Sequence, residues 1–228
     1  MPQLYIVATP IGNLEDLSPR ALRILAEADL ILCEDTRNTQ KIFERFEIKK
    51  PLLSYHQHSK IQKVEYIIDL LKQEKILALV SDAGTPGVSD PGNKLIELAM
   101  EALPDLKVTP VPGPCALAVA ASVCDFSMDK FVFLGFPPVK NKRKKYFEEL
   151  LASQYPVIFY ESTYRIIKSM EEIAALESQA EKPRQIVACR ELTKKFETIY
   201  RGTAKEVIEQ LKKDITKGEF AVVVKNKS

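Results

Sequence analysis

Three glycines, two prolines, two aspartates and no basic residue fall within the twelve residues SDAGTPGVSDPG, 81–92. The stretch follows the apolar run KILALV, so it begins where a buried strand ends. Ligands of open α/β sheets sit beyond the carboxyl ends of the strands. Glycine there permits positive φ and close backbone approach. A phosphate loop adds a lysine, as in G-x-x-x-x-G-K-[ST]. Neither that motif nor G-x-G-x-x-G occurs, and between Lys75 and Lys94 the only charges are Asp82 and Asp90. Two carboxylates repel a polyphosphate. They suit a ligand with a positive charge or with hydroxyls to donate. The competing reading is a structural turn whose Asp90 caps the next helix.

Other residues add chemistry. ATPIGN, EDTR, YHQH and PGPCA follow the other strands of this half, and five such loops at one edge make a cleft. Candidate general bases are Glu34, Asp35, His56, Glu161 and Glu191, and the sequence does not choose among them. His56 and His58 share a face of an extended segment, but no third ligand accompanies them, so no metal is expected. KNKRKK, residues 140–145, sets five cations in six residues at a helix start. Positive charge there opposes the helix dipole. That favours contact with phosphates over a merely solvated basic face. Arg37, Arg165, Arg190, Lys194 and Arg201 extend this patch.

Positioning these groups requires a regular frame. LYIVAT, DLILCE, PLLSYH, KILALV and LKVTPV read as strands, each separated by a helical pattern. Ser18 and Pro19 mark a helix start, as N-cap and first helical residue. Ile61, Val64, Ile67, Ile68 and Leu71 form one apolar helix face. Strict alternation predicts a parallel five-stranded sheet with helices on both faces. After the small-residue helix PCALAVAASVC the pattern restarts with FVFLGF, PVIFYES, QIVACREL, ETIYRG and FAVVVK. Two of these strands, near 186–191 and 197–202, are joined by a few residues. That demands an antiparallel hairpin and a mixed second sheet. The expected fold is thus α/β with two α/β domains, 1–116 and 117–228.

Composition sets outer bounds. The 228 residues are 46% hydrophobic and 28% charged, enough for a packed core. A net charge of +2 does not by itself indicate a nucleic-acid binder. Cys33, Cys115, Cys124 and Cys189 form no C-x-x-C pair, which argues against zinc and fits reduced thiols in a cytoplasm. Cys33 and Cys189 lie in apolar strands and read as core. No stretch approaches the roughly 18 apolar residues of a membrane span.

In order, ATPIGNLEDLSPRAL, ADLILCEDTRNT, SYHQH, SDAGTPGVSDPG, PGPCA, GFPPVKNKR, FYES and RELTKKFETIYRG resemble the motifs of the ribosomal RNA small subunit methyltransferase I family. That family lies in the tetrapyrrole methylase superfamily, class III of the S-adenosylmethionine-dependent methyltransferases. The resemblance covers nearly the whole chain. It implies a tetrapyrrole methylase-like fold, S-adenosylmethionine as cofactor in a cleft between the domains, a cytoplasmic homodimer, and no metal. It implies 2′-O-methylation of a cytidine ribose in the decoding region of 16S rRNA, on the RNA or the small subunit. S-adenosylmethionine carries a sulfonium, an ammonium and a ribose diol but no phosphate, which suits the lysine-free loop. Carried over position by position, Pro10, Asp82, Gly84, Thr85, Val88, Ser89, Cys115, Ala116 and Tyr160 contact it. The RNA contacts expected are Arg37, Lys140, Lys142, Arg143, Lys144, Lys145 and Arg165. Three features depart from the family pattern: Ala8 stands where glycine is usual, Thr163-Tyr164 where Pro-His follows FYES, and the chain ends soon after FAVVVK. A methylase of tetrapyrrole precursors and a non-catalytic RNA-binding homologue are the alternatives, the latter disfavoured by the intact loop.

Overall fold

The protein, described by a computed structural model over residues 1–56, 59–90, 92–214 and 217–226, divides into two compact units, Met1–Cys115 and Ala116–Ser228.

The first unit alternates β1 (Gln3–Val7), α1 (Pro19–Glu27), β2 (Leu30–Cys33), α2 (Thr36–Arg45), β3 (Leu52–Ser54), α3 (Ile61–Lys72), β4 (Ile76–Val80), α4 (Asn93–Ala102) and β5 (Lys107–Val111). The strands form one parallel sheet in the order β3-β2-β4-β1-β5. Successive side chains of a strand point to opposite faces. Ile31, Cys33, Ala78 and Val80 therefore pack with α1 and α2, while Leu32, Leu77 and Leu79 pack with α3 and α4. Burial on both faces explains why these strands read as continuous apolar runs. Ser18 caps α1 as its spacing predicts, its side chain accepting Ala21 N–H at 3.1 Å with Pro19 at the first helical position.

One local expectation fails. Ile61, expected on the apolar face of α3, is 76% exposed, because the helix begins at that residue and only Val64, Ile67 and Leu71 are buried. The competing reading of the glycine loop put Asp90 at the cap of the next helix, but the N-cap of α4 is Gly92.

The second unit comprises α5 (Ala116–Ser122), β6 (Val132–Phe133), α6 (Arg143–Ala152), β7 (Val157–Ser162), α7 (Ile166–Leu176), β8 (Ile186–Arg190), β9 (Thr198–Gly202), α8 (Ala204–Lys212) and β10 (Glu219–Val224). Its sheet runs β6-β7-β10-β8-β9. β6 and β7 are parallel and the other pairs antiparallel, including the β8–β9 hairpin. Val157, Phe159, Ile186, Ala188, Phe220 and Val222 face a core shared with α6, α7 and α8. Cys33 and Cys189 are fully buried, and burial pushes the Cys189 thiol up to about 12.

Candidate functional site

The glycine loop after β4 is locked to the loops after β1 and β5. Thr9 and Gly84 exchange two backbone hydrogen bonds, Thr9 N to Gly84 O at 2.9 Å and Gly84 N to Thr9 O at 3.0 Å. The Thr9 hydroxyl donates to Ser81 O at 3.1 Å, the Ser81 hydroxyl to Gly84 O at 3.2 Å, and the Thr85 hydroxyl to Pro114 O at 3.1 Å. Gly84 sits at φ +86°, where a Cβ would lie 3.3 Å from Ile11 Cγ2. At Gly87, φ +85°, a Cβ would meet Asn93 Oδ1 at 2.5 Å, so that the Asn93 side chain would have to move. Ser89 adopts φ +63° without being glycine, a strain that the surrounding loop must hold. Pro10 is buried and Cys115 half-buried beside this knot. A Cβ on Gly113 would fall 2.9 Å from Ala8 Cβ. Alanine at position 8 is thus accommodated because its neighbour across the loop is glycine.

Asp82 ties the same loop to the one after β2. Its carboxylate accepts Asp35 N–H at 3.0 Å and the Asn38 side-chain N–H at 3.0 Å. Thr9, Ser81 and Asn38 were not among the expected site residues. A polar side chain inside ATPIGN, SDAG or EDTRN is the signal that marks them.

The five candidate bases separate by environment. Glu34 is half-buried beside Asp82. Burial, then the Asp82 charge, pushes its carboxyl above the usual range, against a smaller opposing effect of His56. Asp35 caps α2, and Arg37 grips both its oxygens, the shortest contact being 2.5 Å. That contact holds Asp35 down at about 2. His56 is exposed, with Ser59 Oγ 2.9 Å from its backbone N and 3.4 Å from Nδ1. His58 lies outside the described residues. Glu191 accepts from Lys194 Nζ at 2.7 Å and from Glu219 N at 3.0 Å.

Glu161 is different. It is fully buried. It accepts from Ser169 Oγ at 2.7 Å, Ser162 N at 2.8 Å and Arg165 Nε at 2.8 Å, with Arg143 at 3.4 Å. Its lone pairs are committed to structure, so it is no accessible base.

Arg143 and Arg165 depart from the expected RNA surface for the same reason. Arg143 is only 4% exposed. It donates to Glu172 at 2.7 Å, Ser169 at 2.6 Å and Pro138 O at 3.1 Å. Arg165 is half-buried on Glu161. Arg190, suggested as an extension of the patch, is also buried and pairs with Asp214 at 3.3 Å. Lys140, Lys142, Lys144 and Lys145 remain exposed. Arg37 is 85% exposed, though paired with Asp35.

Tyr160, on β7, accepts Leu117 N–H at 3.1 Å through its hydroxyl, which fixes the start of α5 within the second unit. Phe133 and Phe136 pack edge-on against its ring, at 4.9 and 5.5 Å between centroids. In the departure that follows FYES, Tyr164 is 95% exposed. Among the described residues, no helix is long and apolar enough to cross a membrane.

Comparison with known proteins adds an independent line. A family model described as Tetrapyrrole (Corrin/Porphyrin) Methylases matches residues 3–208. Ribosomal RNA small subunit methyltransferase I of Haemophilus influenzae is 43% identical over 98% of this chain and 78% of its own length. The protein of the same name from Thermotoga maritima is 39% identical over the full length of both chains. Among solved structures, the methyltransferase CobJ aligns with a TM-score of 0.72 at 18% identity, covering 99% of this chain and 95% of its own. A cobalt precorrin-4 methyltransferase aligns at 0.68 and 17% identity, covering 98% of this chain and 94% of its own. At such identities these two structures speak for the fold alone.

Proposed function

Since the chain belongs to the tetrapyrrole methylase family and, within it, to the ribosomal RNA small subunit methyltransferase I family, we propose that it methylates small-subunit rRNA from S-adenosylmethionine. The acceptor we assign is the 2′-oxygen of a cytidine ribose in the decoding region. The observation that carries the cofactor is the interlocked, lysine-free loop of Gly84, its positive φ and the absence of any basic residue between Lys75 and Lys94. A loop whose glycines let the backbone approach closely, and which brings no cation, suits a phosphate-free ligand. S-adenosylmethionine, when bound, supplies an electrophilic methyl group on a sulfonium sulfur.

The protein's own residues have two tasks. Backbone of Gly84, Thr85, Val88 and Ser89, with Pro10 and Cys115 beside it, holds the cofactor and excludes water. A base then takes the proton of the ribose hydroxyl as its oxygen lines up with the methyl carbon. Glu34 is the assigned base. It is half-buried, its basicity is raised, and among the described residues no ion pair locks its carboxylate as Asp35 and Glu161 are locked. Lys140, Lys142, Lys144 and Lys145 meet the phosphates of the RNA. The working form is a cytoplasmic homodimer.

The test is incubation of the protein with methyl-labelled S-adenosylmethionine and unmodified small subunits, followed by mapping of the label. Label on a 2′-oxygen of a decoding-region cytidine is expected. Label on a base, or on uroporphyrinogen but not on subunits, would overturn the reading. Sedimentation at micromolar concentration decides the dimer.

A further inference from the structure

Resting on the RNA-methyltransferase reading, we propose that Phe136 is a stacking platform for an unpaired base of the RNA, flanked by lysines that hold the strand. Phe136 is 52% exposed, and Val139 in the same loop is 65% exposed. From Lys130 to Phe147 the chain has no acidic residue, while Lys140, Lys142, Lys144 and Lys145 all face solvent. An exposed aromatic ring in a stretch of exposed cations, of which only Lys144 has a carboxylate near it among the described residues (Glu148 at 3.7 Å), is the pairing that single-stranded RNA requires. Its bases stack on π-faces while its phosphates meet lysines. A protein partner of matching charge would be acidic, and nothing in that pairing needs a flat ring.

The loop is held rigid, as a platform must be. The Phe136 ring packs against that of Tyr160 in a T-shaped arrangement, 5.5 Å between centroids and 61° apart in plane. Gly135 O accepts Tyr160 N–H at 3.0 Å and the Tyr146 hydroxyl at 3.4 Å. Below, Arg143 clamps Pro138 O at 3.1 Å while its other nitrogens reach Glu172 and Ser169. Lys142 accepts a left-handed conformation, φ +66°, at the turn into α6. The chain thus spends a buried guanidinium and a strained residue on a loop whose ring and valine are left in water. Ordering such a loop in advance lowers the entropy lost when a strand docks.

The test compares the full-length protein with Phe136→Ala and Phe136→Tyr. Three quantities are measured: anisotropy of a fluorescein-labelled single-stranded oligoribonucleotide, KM and kcat on small subunits, and S-adenosylhomocysteine affinity by calorimetry. Phe136→Ala should weaken oligoribonucleotide binding and raise the subunit KM by about tenfold, within the range known for base–aromatic stacking. Phe136→Tyr should restore both, and cofactor affinity should stay within twofold. Unchanged RNA binding by Phe136→Ala would overturn the proposal. So would a loss confined to cofactor affinity, or a change of sedimentation coefficient, which would make the ring a cofactor or subunit contact. Should the parent bind RNA yet fail to methylate subunits, the functional reading falls, and the anisotropy comparison still decides Phe136.

Discussion

The carboxylate of Asp82 accepts the backbone N–H of Asp35 at 3.0 Å, so the glycine loop after β4 is fastened to the N-cap of α2. Two residues 47 positions apart in sequence thereby place Glu34 against a second carboxylate. Replacement of Asp82 by alanine should loosen both loops and weaken S-adenosylhomocysteine binding by about tenfold, or about 1.4 kcal/mol. Calorimetry on the parent and variant checks this, and equal affinities would remove Asp82 from the cofactor site.

The same pair sets a pH dependence. Burial and then the Asp82 charge raise the Glu34 carboxyl, so Glu34 holds its proton above the ordinary carboxylate range. A base must lose that proton, so the methylation rate should climb as pH rises through the Glu34 pKa. In Asp82→Asn the repelling charge is gone, and the limb should move to lower pH. It should not return fully, because burial is the larger cause. Single-turnover rates against pH are the measurement, and a limb that stays in place would exclude Glu34 as the base.

Gly84 is held at φ +86° by its paired bonds to Thr9. Gly84→Ala should cost about 1–2 kcal/mol in stability, the usual penalty of a left-handed residue with a Cβ. The added methyl also presses on Ile11 Cγ2, so cofactor affinity should fall with it. Urea unfolding and calorimetry together check both, and a variant as stable as the parent would mean that the loop relaxes.

Arg143 stabilises through burial rather than by touching RNA. Arg143→Met leaves the buried Glu161 short of one partner and should destabilise by about 3 kcal/mol. Glu172→Gln touches the same guanidinium from a side chain 30% exposed, and should cost under about 1 kcal/mol. Urea midpoints at unchanged m-value distinguish the two. Equal small losses would show the cluster to be no more than a surface arrangement.

On the proposed reading the exposed lysines act through charge. Reversal of Lys142, Lys144 and Lys145 to glutamate, with Arg143 kept, should weaken RNA binding and leave cofactor affinity unchanged. The slope of log K against log salt should shrink by about 0.7 for each single-strand phosphate that is no longer neutralised. Filter binding across a salt series reads it, and an unaltered slope would make the run a solvated face.

The strands, their parallel direction and the glycine loop were legible because their signals are local. Apolar runs of strand length, Ser18-Pro19 at a helix start and a loop without lysine each announce themselves within a few neighbours. The hairpin of β8 and β9 was legible for the same reason, since a short connection leaves only one direction for the returning strand. What the cations and carboxylates do was not legible. KNKRKK reads as five equal charges, yet Arg143 turns inward while its neighbours face water. The reason is that its partners Glu161, Ser169 and Glu172 lie 18, 26 and 29 residues away, and only folding brings them near. Glu161 has the look of a base beside Tyr160, and the same cluster makes it a structural ion. Ile61 fits the helical period, but the helix starts there, and its side chain has no layer to enter. Sequence by itself determined which elements form and which loops share an edge. Tertiary structure alone decided which charges are spent on one another and which are left for a ligand, because burial and pairing depend on distances that no local pattern encodes.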